Sequence, residues 1–197
     1  MKKVLLTAFE PYDRWQDNAS WLSLADLTSW YEGSSELITR RYPVDLTSLS
    51  QKLKQDLQQP VDFVVLCGQS PGSTHLRLEN VALNLRTDGT ELVEGGATAY
   101  TSSRPLEPIA AKMRDAGIPS RVSHHAGTYL CNAALYLSQH YLLGDHRNTP
   151  SIFVHIPLTP SQVAQSNDDS ASMSTPMASA ALAILIESMA SVHPDAV

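Results

Sequence analysis

SIFVHIP, residues 151–157, is a short run of bulky apolar side chains interrupted once, by His155. A run of this length with no polar alternation reads as a strand buried on both faces. KVLLTAF (3–9) and DFVVLC (62–67) have the same character, and SELITRRY (35–42) and SRVS (120–123) are weaker strand candidates. Between them lie helical patterns. Asp45 can cap a helix in which Leu46, Leu49, Leu53 and Leu57 form one stripe, stopped by Pro60. Residues 19–31 and 106–116 read as further helices, the second preceded by Pro105 and ended by Gly117. Ser174 or Thr175 can cap a last helix, with Pro176 in its first turn. The intervening TPSQVAQSNDDSASMS (159–174) reads as a polar surface loop. Strands alternating with helices predict an α/β sheet covered by helices on both faces.

Composition narrows the function classes. The chain has 197 residues, 43% hydrophobic and 17% charged, without an internal repeat or dividing linker. A single domain over residues 1–197 is predicted, large enough for a substantial core. A formal net charge of −6 argues against nucleic acid or an anionic membrane as partner. No run approaches the roughly 18 apolar residues of a membrane span. MKKVLLTAFEPYD is too short in its apolar part for a signal peptide and reads as a first buried strand. With only Cys67 and Cys131, no disulfide framework is expected, and a reducing cytoplasm is the default.

In α/β sheets, sites gather where strands end and loops begin. That rule selects the segments after Phe9, after Cys67, before Cys131 and around His155. HLRLENVALNLR (75–86) adds a phase change. Leu76 and Leu78 alternate on even positions, Val81, Leu83 and Leu85 on odd ones, so a bulge or bend is expected at Glu79–Asn80. Glu79 shares the odd parity and is expected to point inward, where a carboxylate needs a partner.

Cys131, in AGTYLCNAALYLSQHYLLG (126–144), stands at the start of a helix ended by Gly144. There the macrodipole stabilises negative charge, and unpaired N–H groups can hold an oxyanion. Taken alone, the segment fits a buried structural cysteine at least as well. Cys67 ends an apolar strand and reads as structural. Of the seven histidines, His155 inside its strand is either a satisfied core residue or a catalytic base. The adjacent His124 and His125 lack further ligands at suitable spacing, so no metal site is expected. His75, His140, His146 and His193 read as surface or loop residues. Asp88 and Glu91, in TDGTE, read as turn residues. CGQSPGS (67–73) is neither a Walker motif nor a dinucleotide fingerprint, so no phosphate cofactor follows. Cysteine, histidine and carboxylate together are what nucleophilic acyl transfer requires.

Three ordered blocks carry a likeness. VLLTAFEPY followed by NAS, CGQSPGSTHLRLENVALNL, and the pair AGTYLCN and FVHIPLTP resemble pyroglutamyl peptidase I (pyrrolidone carboxyl peptidase), a family of cytoplasmic cysteine peptidases. The resemblance spans nearly the whole chain. It implies a three-layer α/β/α sandwich around a mixed, mostly parallel twisted sheet, often a homotetramer, with no metal or organic cofactor. It also implies Cys131 as nucleophile, His155 as general base and Glu79 as third member. The family pattern differs at the first loop, where this chain reads PYDRW. Tyr12 stands where the family has phenylalanine, and two glycines are absent. Leu130 replaces a valine and Tyr129 a phenylalanine, and the segment between Asn84 and Gly95–Gly96 is shorter.

The implied activity is hydrolysis of the amide after an N-terminal pyroglutamyl residue of peptides. A small, flat, uncharged lactam suits an apolar pocket with one or two polar contacts. Phe9, Tyr12 and Leu130 are expected on its wall and Gln69 as a polar contact, with Arg86 a solvated surface residue. The Tyr12 hydroxyl is expected to turn to solvent or to Asp13 rather than into the pocket. Two rivals stand beside this reading: a cysteine amidohydrolase for another small acyl amide, and a catalytically silent binding protein of the same fold.

Overall fold

The computed structural model describes residues 1–166 and 169–191, so the expectation for His193 lies outside the described residues. Its elements run β1 (Lys2–Phe9), α1 (Ala19–Trp30), β2 (Ser35–Tyr42), α2 (Leu46–Asp56), β3 (Phe63–Gln69), β4 (Leu76–Glu79), β5 (Val81–Leu83), β6 (Ala99–Thr101), α3 (Glu107–Asp115), β7 (Ser120–Ser123), α4 (Leu130–Gly144), β8 (Ser151–Ile156), α5 (Pro160–Ser166) and α6 (Thr175–Ala190). Six strands form one sheet in the order β2-β1-β3-β8-β4-β7. All neighbours pair in parallel except β4 and β8, which run antiparallel. The fold is α/β, with a mixed, mostly parallel sheet between two helical layers. Among the described residues no helix is long and apolar enough to cross a membrane.

Strand parity separates two cores. Val4, Leu6 and Ala8, Val65 and Cys67, and Ile152, Val154 and Ile156 pack with residues of α1, α3 and α6 on one face. Leu5 and Phe9, Val64 and Leu66, and Phe153 pack with residues of α2 and α4 on the other. Successive side chains in a strand point to opposite faces. His155 therefore shares the face of Phe153, under α4, whereas Cys67 faces away from it. The uninterrupted apolar character of these strands follows from this double burial.

The phase change at Glu79–Asn80 is where the chain leaves the main sheet. β4 ends at Glu79, and β5 joins β6 in a separate two-stranded antiparallel ribbon. Asn80 bridges the two: its N–H donates to the Ser123 carbonyl at 2.7 Å, and its carbonyl accepts from Ser102 N–H at 2.8 Å. Asp45 caps α2 through Ser48 N–H at 2.8 Å, as expected.

Two expectations are corrected. The segment after Thr159 is not all loop, since Pro160–Ser166 forms α5. Thr159 and Gln162 make a reciprocal cap: Gln162 N–H donates to Thr159 Oγ1 at 3.3 Å, and Thr159 N–H to Gln162 Oε1 at 2.9 Å. His140 is not a surface or loop residue but sits on α4, half-buried, stacked on Tyr136 and bonded through Nδ1 to the Tyr100 hydroxyl at 3.0 Å.

Leu182 of α6 is fully buried in the first core. Leu182→Ala should lower the unfolding free energy by about 2–5 kcal/mol, read as a shift of the urea midpoint at unchanged slope.

Candidate active site

The parallel strands β2, β1, β3 and β8 deliver their C-terminal ends to one edge, and β4 runs in the opposite direction beside β8. There Glu79 of β4 and His155 of β8 meet across the antiparallel seam, with His155 Nδ1 2.7 Å from Glu79 Oε1. Both are buried, the carboxylate fully. Phe153 lies beside them, its ring centroid 4.8 Å from that of the imidazole. Cys131 lies close enough to the imidazole for its charge to act on it. Cys131 is the second residue of α4, after the N-cap Tyr129, whose side chain makes no capping bond. First-turn N–H groups thus remain available beside the thiol.

Backbone geometry fixes the thiol from behind. A Cβ added at Gly68 would lie 3.0 Å from Cys131 Sγ and 2.7 Å from the Phe153 ring, so β3 approaches closely only as glycine. Asn132, the next residue of α4, is fully buried. Its Oδ1 accepts from Leu83 N–H at 2.8 Å, and its Nδ2 donates to the Leu83 and Leu85 carbonyls. The helix start is thereby tied to the ribbon. Nothing in the sequence reading singled out Asn132.

Electrostatics favour a charged imidazole. Burial alone would push His155 down, but the Cys131 charge beside it and the hydrogen bond to Glu79 outweigh this and raise it to about 9. Cys67 is fully buried, and burial pushes its thiol well up, out of reach of nucleophilic chemistry. The arrangement can therefore hold a thiolate–imidazolium pair next to a carboxylate.

A hollow of about 60 Å³ opens beside Cys131, lined by Phe9, Tyr12, Asn18, Val44, Gln69, Tyr129 and Leu130. Phe9, Tyr12 and Leu130, expected on a pocket wall, and Gln69, expected as a polar contact, all line it. Arg86 is exposed and lines a neighbouring hollow with Tyr129 and Leu130. Gln69 is buried, and its Oε1 accepts from Ala19 N–H and Gln162 Nε2, each at 2.8 Å. Its Nε2 has no partner among the described residues. The Tyr12 hydroxyl corrects its expectation, because it turns inward and donates to the Gln69 carbonyl at a long 3.5 Å. Burial, with Cys131 nearby, pushes that hydroxyl up to about 12, so it stays protonated. His124 and His125 are occupied locally: His124 Nδ1 is 3.3 Å from Asn80 Nδ2, and His125 Nδ1 accepts from Gly127 N–H.

A thiol, an imidazole and a buried carboxylate on an α/β sheet define the class of a cysteine hydrolase. The chain belongs to the pyroglutamyl peptidase family, whose model matches residues 2–192. A pyrrolidone-carboxylate peptidase of Clavibacter michiganensis subsp. michiganensis is 37% identical over 80% of this chain and 79% of its own length. One from Pectobacterium carotovorum subsp. carotovorum is 34% identical over 95% of this chain and 92% of its own. The crystal structure of the pyrrolidone carboxyl peptidase of Fervidobacterium islandicum AW-1 superposes with a TM-score of 0.91 at 28% identity, covering 96% of this chain and 99% of that one.

His155 carries a pH prediction with a defined sign. Its folded value is raised from the ordinary 6.5 to about 9. Its stabilising contribution is therefore complete below pH 6.5 and is lost as pH rises through about 9. If a charged His155 takes part in turnover, turnover should fall over the upper part of that window. Thermal stability should decline more steeply there than in His155→Gln. Turnover still climbing at pH 10 contradicts the assignment.

Proposed function

We propose that this protein hydrolyses the amide bond after an N-terminal pyroglutamyl residue of peptides, with Cys131 as nucleophile, His155 as acid–base and Glu79 as its carboxylate partner. One observation carries the reading: the Cys131–His155–Glu79 chain of contacts borders a small, largely apolar hollow. The Cys131 thiolate attacks the pyroglutamyl carbonyl carbon, and the oxyanion lies at the first turn of α4. The imidazolium gives its proton to the leaving amine as the C–N bond breaks, leaving a thioacyl enzyme. Water then attacks that carbonyl, His155 takes its proton, and the C–S bond breaks to release pyroglutamate. Glu79 orients the ring and stabilises its charged form.

The pocket's chemistry supports a lactam. Its ring presents one N–H and one C=O on the same edge, and Gln69, which lines this wall, carries a main-chain carbonyl met there by Tyr12. The long Tyr12–Gln69 contact is weak enough for a substrate N–H to replace. Phe9, Val44 and Leu130 contribute apolar wall. An N-terminal glutamine or glutamate would bring a charged amine to be desolvated there.

The same reading takes residues 1–197 as one catalytic domain acting in the cytoplasm, which agrees with two unpaired cysteines. It includes assembly into a homotetramer, for which exposed Trp30, Leu143 and Met177 supply apolar surface. Light scattering tests that assembly.

Release of a fluorescent amine from a pyroglutamyl amide tests the activity. Cys131→Ala should abolish it, while Cys67→Ala should retain most of it, less a packing cost. Prolyl, acetyl and glutaminyl amides run alongside should be poor substrates. Equal turnover of any of them refutes the lactam pocket, and no turnover of any, with an unreactive Cys131, indicates a silent binding protein.

Tyr12→Phe removes the competitor for the Gln69 carbonyl, so KM for the pyroglutamyl amide should fall by about two- to fivefold. Tyr12→Ala should raise it by losing wall. A raised KM in Tyr12→Phe would show that the hydroxyl binds substrate instead.

A further inference from the structure

Glu79 has a second basic neighbour. Arg77 Nε lies 3.5 Å from Oε1, the same oxygen that meets His155. Arg77 and Glu79 share one face of β4, and Arg77 is the register partner of His155. The guanidinium is anchored away from the carboxylate, donating from its terminal nitrogen to Ser70 Oγ at 2.7 Å. Neither Arg77 Nε nor Glu79 Oε2 has a hydrogen-bond partner among the described residues. Arg77 thus stands beside the carboxylate as a fixed charge rather than as a donor to it.

We infer that Arg77 is a positioning residue: its cation balances buried Glu79 whenever His155 is neutral, and so lets the imidazolium release its proton to the leaving amine. This deepens the proposed mechanism and rests on it. During one turnover His155 passes from charged to neutral and back. In the neutral state Glu79, fully buried, would be an uncompensated charge, and a buried charge stripped of its partner is costly. Without Arg77 the imidazole would keep the proton, and expulsion of the amine would slow. A guanidinium is charged at every working pH, so Arg77 supplies this balance without titrating.

The surroundings leave this role to Arg77. Cys131 reaches the imidazole from α4, and Tyr12 comes near Cys131 from the first loop. From β3, Gly68 and Gln69 are uncharged. From β7, Ser123 pairs with Glu79 and Arg121 with Arg77, Arg121 being exposed. His124, also exposed, touches Asn80 rather than Glu79.

The test uses Arg77→Met, Arg77→Lys and Ser70→Ala in the full chain. Arg77→Met should lower kcat roughly tenfold, with KM changed less than about twofold. Its alkaline limb should move up by about half a pH unit or more, because removing a cation favours the imidazolium. Arg77→Lys, which keeps the charge, should restore most of both. Ser70→Ala should shift the limb in the same direction by less. The rate of Cys131 alkylation by iodoacetamide against pH, followed by mass spectrometry, reads the same His155 proton without any substrate. If wild type turns over no pyroglutamyl amide, the functional reading fails while the alkylation profile still judges Arg77. An unmoved limb in folded Arg77→Met overturns the inference, as does Arg77→Lys behaving like Arg77→Met. Should Arg77→Met not fold, an unmoved profile in Ser70→Ala overturns it.

Discussion

A carboxylate with no exposure to solvent has to be paired, and Glu79 finds its partners because β4 runs antiparallel beside β8. The reversed strand brings a carboxylate from one direction against an imidazole from the other, 2.7 Å apart, between the fourth and fifth strands of the sheet. Everything else in the site is arranged around that bond. α4 lays its first turn over the imidazole, β3 retreats to glycine to admit the thiol, and the chain after Glu79 leaves the sheet to build the ribbon that Asn132 holds.

Much of the architecture was legible because the strands are buried on both faces. Uninterrupted apolar runs revealed β1, β3 and β8, and the parity break in residues 75–86 located the point where β4 gives way to β5. That break also marked Glu79, since an inward carboxylate is unusual enough to demand an explanation. Cys131 was ambiguous for a physical reason: a helix start rewards a reactive thiol and tolerates a structural one, and only the strand bearing His155 distinguishes them. The family pattern supplied that link before any contact was known.

What escaped the sequence involves partners distant along the chain or capping chemistry passed over. Thr159 and Gln162 spell a reciprocal cap, but the polar run after them suggested loop, so α5 was missed. His140 looked solvated because its partners, Tyr100 and Tyr136, come from the ribbon and one turn back on α4. Tyr12 was expected to turn outward to spare an apolar pocket. The nearby main-chain carbonyl of Gln69 gives its hydroxyl an inward partner instead. Arg77 drew no notice, because alternation alone makes an arginine between two buried leucines look like solvent-facing surface.

The glycine at position 68 has a consequence for how such an enzyme can diversify. Strand backbone, Phe153 and the thiol sit so close there that no side chain can be inserted behind Cys131. The thiol is backed directly by the central sheet, and its rear is closed to variation. The front wall is built differently: Tyr12 comes from the first loop, Val44 from the turn before α2, and Tyr129 from the lead-in to α4. These segments can change length and composition while the sheet stays as it is. Drift in what the pocket accepts is thus channelled into three surface segments, and the chemistry is inherited intact with the core.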